Sequence, residues 1–161
     1  MKDFSKILVP IDGSKKSFEA LDRALILAGF SQGEVTCIHA IPEVLKGGPR
    51  TKEMERQLKE DGNIVLKNAI KRAGKNAKLK TRLVKGSPSV ETLKIARGGK
   101  FDHIVMSTTG MGESPDDMLG SVSNYVLHKS KIPVYLIKWI FLKIQKITVL
   151  NVMKNFLVTM I

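Results

Sequence analysis

The sequence is poor in cysteine and aromatic residues, and it lacks the most familiar nucleotide-binding signature. Cys37 is the single cysteine of the 161 residues, so the chain can form neither an internal disulfide nor a zinc site built from several cysteines. Aromatic residues make up 6% of the chain, and few of them lie between its lysines, so nucleic acid is not an expected partner. No G-x-x-x-x-G-K-[ST] pattern occurs, which excludes a P-loop.

The positive charge is spread over the whole chain. Lys and Arg number 27 against 15 Asp and Glu, a formal net charge of +12. Such a field concentrates phosphates, nucleic acids or anionic lipids, but it does not choose among them. The first residues form no signal-peptide pattern, because the apolar stretch from Ile7 ends at once in Pro10 and Asp12. We therefore expect a cytoplasmic protein.

Five short apolar runs alternate with amphipathic segments along residues 1–138. The runs have the length and β-branched content of strands buried in a parallel sheet, and they span 7–11, 35–41, 79–84, 103–107 and 133–137. Ser14 and the Gly86-Ser87-Pro88 stretch are helix-start signals between them. The alternation predicts one α/β domain over residues 1–138, with a doubly wound parallel five-stranded sheet and helices on both faces.

Two of the predicted helices carry specific expectations about packing. A long amphipathic helix is predicted from Thr51 to about Lys75, because its apolar residues recur at roughly helical spacing. Gly62 is expected to weaken the middle of this helix. The last predicted helix is expected to bury Val122, Tyr125 and Val126 on the side that faces the sheet.

Residues 139–161 depart from this rhythm and form a separate amphipathic C-terminal extension. Lys143, Lys146 and Lys154 recur among apolar residues at intervals that are consistent with a helix, although the β-branched content leaves a strand as the alternative. Three lysines distributed through the segment argue against a transmembrane span. We expect packing against the domain or a sister subunit; an interfacial membrane helix and disorder are the alternatives.

The end of the first predicted strand carries a carboxylate. In a doubly wound sheet, ligands bind at the carboxyl ends of strands where the winding reverses direction. The strand ends in Pro10-Ile11-Asp12-Gly13, and Asp12 can accept hydrogen bonds from a pair of sugar hydroxyls. An Asp-Gly turn without a ligand has the same sequence. Both interpretations of Asp12 stay open from this stretch alone.

The fourth predicted strand opens into a permissive loop, STTGMGESPDDMLGS, over residues 107–121. Gly110 lets backbone amides approach an anion, and Gly120 with Ser121 marks the start of the next helix, offering free amides and the positive end of its dipole. Ser121 and Ser123 add hydroxyl donors. The stretch is typical of a phosphate site made from main chain, and a surface loop with a serine N-cap is the alternative.

Several stretches together resemble the universal stress protein family, specifically its ATP-binding branch, over about residues 4 to 138. The family signature after the fourth strand is G-x-x-G, nine residues, then G-[ST], and its latter part fits Gly110, the residues 111–119 and Gly120-Ser121. The opening KILVPIDGS is similar to the family's first strand and Asp loop, and CIHAIPE to its second strand. The closing GSVSNYVLHKSKIPVYLIK is especially similar.

The resemblance implies a Rossmann-like fold of the adenine nucleotide alpha hydrolase type, with strand order 3-2-1-4-5. Strands one and four are then neighbours, and both strand ends face one pocket for ATP, or for ADP or AMP. By this resemblance Asp12 holds the ribose hydroxyls, Pro10 and Ile11 line adenine and sugar, and the backbone of Ala40 meets the adenine edge. The residues that it places around the phosphates are Met106, Ser107, Thr108, Thr109 and Gly110 on one side and Gly120, Ser121, Val122 and Ser123 on the other.

The sequence departs from the family's pattern in two places. Ser107 stands where the signature has its first glycine, so a side chain there is expected to crowd the ribose or a phosphate. Glu113, Asp116 and Asp117 place three carboxylates over the phosphates, where they repel a triphosphate unless Mg²⁺, held through water by the two aspartates, lies between. A solvated acidic loop that points away is the alternative.

The resemblance favours an ATP-binding regulatory module of the stress response, in which the nucleotide alters a surface that an unknown protein partner reads. It also implies a homodimer that pairs the fifth strands, here Pro133 to Ile137. One alternative is a slow Mg-dependent ATPase or nucleotidyl transferase, although no Ser/His/Asp or Cys/His constellation is visible. Another is a stress scaffold that binds no nucleotide and contacts a partner or a membrane through residues 139–161.

Overall fold

A computed structural model describes residues 4–43, 51–112 and 119–138. Within these ranges five strands and four helices alternate. They are β1 (Lys6–Pro10), α1 (Lys15–Phe30), β2 (Glu34–Ile41), α2 (Lys52–Ala73), β3 (Leu79–Lys85), α3 (Pro88–Gly98), β4 (His103–Ser107), α4 (Ser121–Lys129) and β5 (Val134–Ile137). All neighbouring strands pair in parallel in the order β3-β2-β1-β4-β5, which confirms the predicted architecture and strand order.

The central strands are buried because helices cover both faces of the sheet. Ile7 and Val9 of β1 point to one face, where they pack with Leu21 and the rest of the apolar stripe of α1 and with α2. Leu8 points to the other face and packs against Leu93 of α3 and against α4. Successive side chains of a strand alternate between faces, so β1 has to be apolar throughout. This is the pattern from which the sequence predicts a buried parallel strand.

Gly62 is a packing requirement of α2. It is buried, and a Cβ atom added there would lie 2.6 Å from Cδ1 of Leu83, 3.0 Å from Cδ2 of His39 and 3.3 Å from Cγ2 of Ile41. Three side chains from β2 and β3 therefore occupy the space that any other residue at this position would need. Helix propensity alone predicts that Gly62 weakens the helix. Propensity does not show that α2 approaches the sheet so closely at this position.

α4 buries a serine in place of the expected aromatic residue. Its buried residues are Ser123 and Val126, whereas Tyr125 is 44% exposed. The hydroxyl of Ser123 donates to the carbonyl of Thr108 at 2.5 Å, and this hydrogen bond turns the Ser123 side of the helix inward. The prediction that Tyr125 belongs to the buried stripe is wrong.

β5 forms one edge of the sheet. It begins at Val134, one residue after the predicted start, and pairs with β4. The predicted extension 139–161 lies outside the described residues, so its conformation stays a prediction. In the ranges that the structure describes, no helix is both long enough and apolar enough to cross a lipid bilayer.

Candidate functional site

A cleft opens at the carboxyl ends of β1 and β4, where the winding of the sheet reverses. The two strands pair directly, Leu8 with Ile104, but α1 follows β1 on one face and α4 follows β4 on the other. The two connections diverge, and the space between them is the usual ligand site of such sheets. The cleft is lined by Pro10, Ile11, Asp12, Ser17, Ile38, His39, Ala40, Pro88, Thr92, Met106, Ser107, Thr109, Gly110, Gly120, Val122 and Ser123.

Asp12 has both carboxylate oxygens engaged by backbone amides. Oδ1 accepts from the amide of Ser14 at 2.9 Å, and Oδ2 accepts from the amide of Met111 at 2.6 Å. Burial alone would raise the pKa of Asp12, but hydrogen bonds from Ser14, Ser17 and Met111 outweigh it and hold the pKa below its ordinary value. The carboxylate is therefore ionised at neutral pH, and its remaining lone pairs can accept hydrogen bonds from a ligand.

The loop that follows β4 is closed by hydrogen bonds to Thr108. The amide of Thr108 donates to the carbonyl of Ile137, and its own carbonyl accepts from the amide of Gly120 at 2.8 Å and from the hydroxyl of Ser123. From the sequence, the Gly120 amide and the Ser123 hydroxyl are expected to be free donors for an anion. Both are instead used to hold the two ends of the loop together.

The first turn of α4 presents two other backbone amides. No side chain caps the helix at Gly120. The amides of Val122 and Ser123 have no hydrogen-bond partner among the described residues, and both residues line the cleft. Amides at the positive end of a helix dipole favour a negatively charged group, so this wall of the cleft suits an anion.

Lys16 of α1 reaches across to the loop after β4. Its Nζ donates to Oγ1 of Thr109 at 2.7 Å, and Thr109 is buried and lines the cleft. An ammonium group therefore lies at the edge of the cleft. The sequence predicts an anion site made from main-chain amides and serine hydroxyls, with no lysine. The position of Lys16 four residues after Asp12, at the start of the helix that follows the strand end, is the signal that could have identified it.

Eleven of the thirteen predicted binding residues line the cleft, and Thr108 and Ser121 do not. Ser107, which is expected to crowd a ligand, is buried and forms part of the lining. Asp116 and Asp117, which are predicted to hold Mg²⁺, lie outside the described residues. Within the described ranges no three metal-ligating side chains cluster in a way that could hold an ion.

Five further residues line the cleft that no sequence motif assigns to the site. They are Ser17, Ile38, His39, Pro88 and Thr92. They belong to α1, β2 and the first turns of α3, which the strand order brings to the same edge of the sheet. Nδ1 of His39 lies 2.8 Å from the carbonyl of Ile11, so His39 helps to fix the end of β1. No local sequence signal marks these positions, because their placement depends on contacts between distant segments.

The model of the universal stress protein family matches residues 3–138. The chain belongs to the universal stress protein family. It is 34% identical over 140 residues to universal stress protein MJ0531 of Methanocaldococcus jannaschii, an alignment that covers 84% of this chain and 82% of that protein. It is 33% identical over 147 residues to universal stress protein YxiE of Bacillus subtilis, which covers 84% of this chain and 99% of that relative.

Solved structures of universal stress proteins share this fold. The structure of MJ0577, a universal stress protein of M. jannaschii, matches with a TM-score of 0.74 and 29% identity over 86% of this chain and 99% of that one. A universal stress protein in complex with cAMP matches with a TM-score of 0.65 and 26% identity over 83% and 96% of the two chains. The family match ends at residue 138 of this universal stress protein, immediately before the predicted extension 139–161.

Proposed function

We propose that this universal stress protein binds an adenine nucleotide, ATP or else ADP or AMP, and acts as a nucleotide-dependent regulatory module in the stress response. The observation that carries the proposal is the convergence of the ionised Asp12 with the amides of Val122 and Ser123 on one cleft. A nucleotide offers a ribose diol to the carboxylate and phosphates to the amides. A ligand with only one of these parts would leave one end of the cleft unused.

The apolar part of the cleft suits a purine base. Ile11, Ile38 and Met106 line it, and each is buried. Ligand sites of this kind combine mostly apolar walls with a few placed polar groups. We assign the adenine ring to this surface and its polar edge to the backbone of Ala40 at the end of β2. Asp12 then accepts hydrogen bonds from the ribose hydroxyls.

The phosphates belong at the opposite end of the cleft. The amides of Val122 and Ser123 donate to the phosphate oxygens, and Gly110 lets the loop backbone approach them. Lys16 adds a positive charge from the α1 side, where its Nζ already donates to Thr109. A longer phosphate chain reaches further toward Lys16, so this side chain favours ATP over AMP.

The universal stress protein solved with cAMP supports an adenine nucleotide as the ligand class. cAMP contains the same three parts, a purine, a ribose and a phosphate. Its 3′ oxygen is closed into the phosphate ring, so it has a single free ribose hydroxyl and no diol. We therefore expect the carboxylate of Asp12 to favour an open nucleotide over a cyclic one in this chain.

Mg²⁺ is part of the proposal as a counter-ion for ATP. The carboxylates of Asp116 and Asp117 would hold it through water, because hard cations prefer oxygen ligands and Mg²⁺ keeps several of its waters. The ion would lower the repulsion between the phosphates and the acidic segment 113–118. Calorimetric titration of ATP with and without Mg²⁺ tests this role, and equal affinities in the two titrations contradict it.

We extend the proposal to a homodimer in the cytoplasm. β5 lies at the edge of the sheet and Tyr135 is 40% exposed, and pairing with β5 of a second copy would satisfy the outward backbone groups of both strands. Sedimentation over a concentration series tests the dimer, and a monomeric mass throughout the series contradicts it. Fractionation of cells tests the location.

The experiment that tests nucleotide binding is mass spectrometry of natively purified protein before and after denaturation. We expect a mass difference that corresponds to a released adenine nucleotide. Calorimetry on nucleotide-free protein should then show heat with ATP and little with adenine alone or with GTP. If no nucleotide is released and ATP with Mg²⁺ gives no heat, the scaffold alternative replaces this proposal.

A further inference from the structure

A groove runs between α3 and α4. It consists of two adjoining depressions that share Leu93 and Arg97. We call it the α3–α4 groove; Val90, Leu93 and Arg97 form its α3 side, and Tyr125 and Lys129 form its α4 side. From Val90 to Arg97 the groove follows two turns of α3, a length of about 10 Å at about 1.5 Å per residue.

The bottom of the α3–α4 groove is apolar and partly open to solvent. Leu93 and Phe101 are buried beneath it, whereas Val90 is 48% exposed and Tyr125 is 44% exposed. Neighbouring exposed apolar side chains in a concave surface are typical of a site that contacts another molecule. Tyr125 faces this groove because the Ser123 side of α4 faces the sheet.

The edges of the groove are positively charged. The cationic residues are Lys94, Arg97, Lys100, Lys129 and Lys131. No carboxylate lines either depression within the described ranges. Lys94 contacts Glu91 at 3.3 Å, and the other four cations form no ion pair with a described residue. The groove therefore attracts negative charge along both sides of an apolar surface.

We propose that the α3–α4 groove docks an acidic amphipathic helix of a partner protein. Charge complementarity identifies the occupant, because the edges require carboxylates and the bottom requires aliphatic side chains. The chain's own extension 139–161 does not fit, since it contains Lys143, Lys146 and Lys154 and no acidic residue. Nucleic acid is disfavoured because the bottom offers aliphatic side chains and a single exposed aromatic ring, not a series of rings for stacking bases.

The two helices of the groove also supply residues to the cleft. Thr92 of α3 and Val122 of α4 line the cleft, whereas Leu93 and Tyr125 of the same helices line the groove. A nucleotide that contacts both helix starts restricts the relative position of α3 and α4, and with it the shape of the groove. We expect the bound nucleotide to raise the affinity of the groove for the partner helix. Thermodynamic linkage then requires that the bound partner helix raises the affinity of the cleft for the nucleotide by the same factor. This coupling rests on the proposed function, whereas the docking itself does not.

Fluorescence anisotropy with the full chain tests the docking. The probe is a labelled synthetic helix of about 14 residues, roughly four turns, with Leu along one side and Glu along the flanks. We expect the double variant Arg97→Glu with Lys129→Glu to bind it at least about tenfold more weakly. The matched control is Lys67→Glu with Lys71→Glu, which makes the same charge change at exposed positions of α2. It should bind the probe nearly as well as the unmodified chain.

The other probes separate the alternatives. A peptide with Gln in place of Glu, and one with Ser in place of Leu, should both lose binding. Equal losses in the two double variants overturn the docking site, and so does an oligonucleotide or an anionic vesicle that binds with the same dependence on Arg97 and Lys129.

The coupling is tested on protein that calorimetry shows to be saturated with ATP. If this protein binds the peptide with the same affinity as the nucleotide-free protein, the coupling is overturned. Peptide binding by a chain that takes up no ATP overturns the proposed function and supports the docking.

Discussion

The backbone amide of Met111 donates to Oδ2 of Asp12 at 2.6 Å and so joins two segments that are 99 residues apart in the sequence. The bond connects the end of β1 to the loop that follows β4. The same carboxylate accepts from the amide of Ser14, so it fixes two loops before any ligand binds. Preorganisation of this kind lowers the entropic cost of binding.

Replacing Asp12 by Asn should weaken ATP binding about tenfold or more, because hydrogen bonds to a charged group contribute about 1.5–3 kcal/mol. The Asn side chain also places an N–H donor opposite the backbone amide of Ser14 or of Met111, so one of these two hydrogen bonds is lost. Calorimetry with ATP and with the 2′,3′-dideoxy analogue isolates the ribose contact. The analogue should bind the unmodified chain weakly, and the variant should not distinguish the two ligands. Asp61→Asn, at an exposed carboxylate of α2, is the control and should bind ATP normally.

Replacing Lys16 by Met should weaken ATP binding more than adenosine binding. The variant removes the ammonium group at the edge of the cleft and keeps most of the side chain, so the loss should grow with the number of phosphates. Lys15→Met is a matched control, since Lys15 is exposed and adjacent and the change in net charge is the same. Titrations with adenosine, AMP and ATP measure the trend. Equal effects of the two substitutions would mean that Lys16 acts only through the overall charge.

Replacing Gly62 by Ala should destabilise the fold, because the added methyl group meets Leu83, His39 and Ile41 at once. Overpacking of a core costs about 1–3 kcal/mol, and the gain in helix propensity of about 0.5–1 kcal/mol offsets only part of it. Urea unfolding measures the difference. Gly29→Ala near the end of α1 is the control, since a Cβ there meets nothing within 4 Å, and it should be neutral or stabilising. A stabilised Gly62→Ala variant would show that α2 shifts freely.

The stability of the fold should fall as the pH drops below about 4. Asp102 accepts hydrogen bonds from the amides of Ser5 and Lys6 and from the hydroxyl of Ser5. Burial alone would raise the pKa of Asp102, but these bonds and the electrostatic interaction with His103 outweigh it and hold the pKa below its ordinary value of 3.8. A group with a lowered pKa in the folded state stabilises fully above its unfolded pKa. This contribution is lost as the pH falls through the folded pKa.

The measurement is the free energy of unfolding as a function of pH for the unmodified chain and for Asp102→Asn. The variant should be less stable at neutral pH, and its stability should depend less on pH in the acidic range. Asp61→Asn is again the control and should keep the acid dependence of the unmodified chain. Parallel curves for the unmodified chain and Asp102→Asn would assign the acid dependence to other carboxylates, such as Asp12.

The architecture could be predicted because it follows from local and periodic features. Strands buried on both faces need continuous apolar runs, such as that of β1, and the alternation of these runs with amphipathic helices permits few topologies. The strand order came from the resemblance to the family, and the structure confirms it. Asp12, Gly110 and Gly120 could be assigned to one site because they follow strand ends that the order makes neighbours.

The remaining details of the site depend on which atoms meet across distant segments. Sequence alone could not show that the Gly120 amide is used by Thr108, that Lys16 reaches Thr109, or that His39 and Thr92 line the cleft. From helical spacing and propensity alone, Gly62 is expected to weaken α2 and Tyr125 is expected to be buried. Hydrogen-bond partners and close packing are set by the three-dimensional positions of residues far apart in the chain. Periodicity therefore determined the elements and their layers, and only the tertiary structure decided which donors stay free for a ligand and which surfaces stay uncovered.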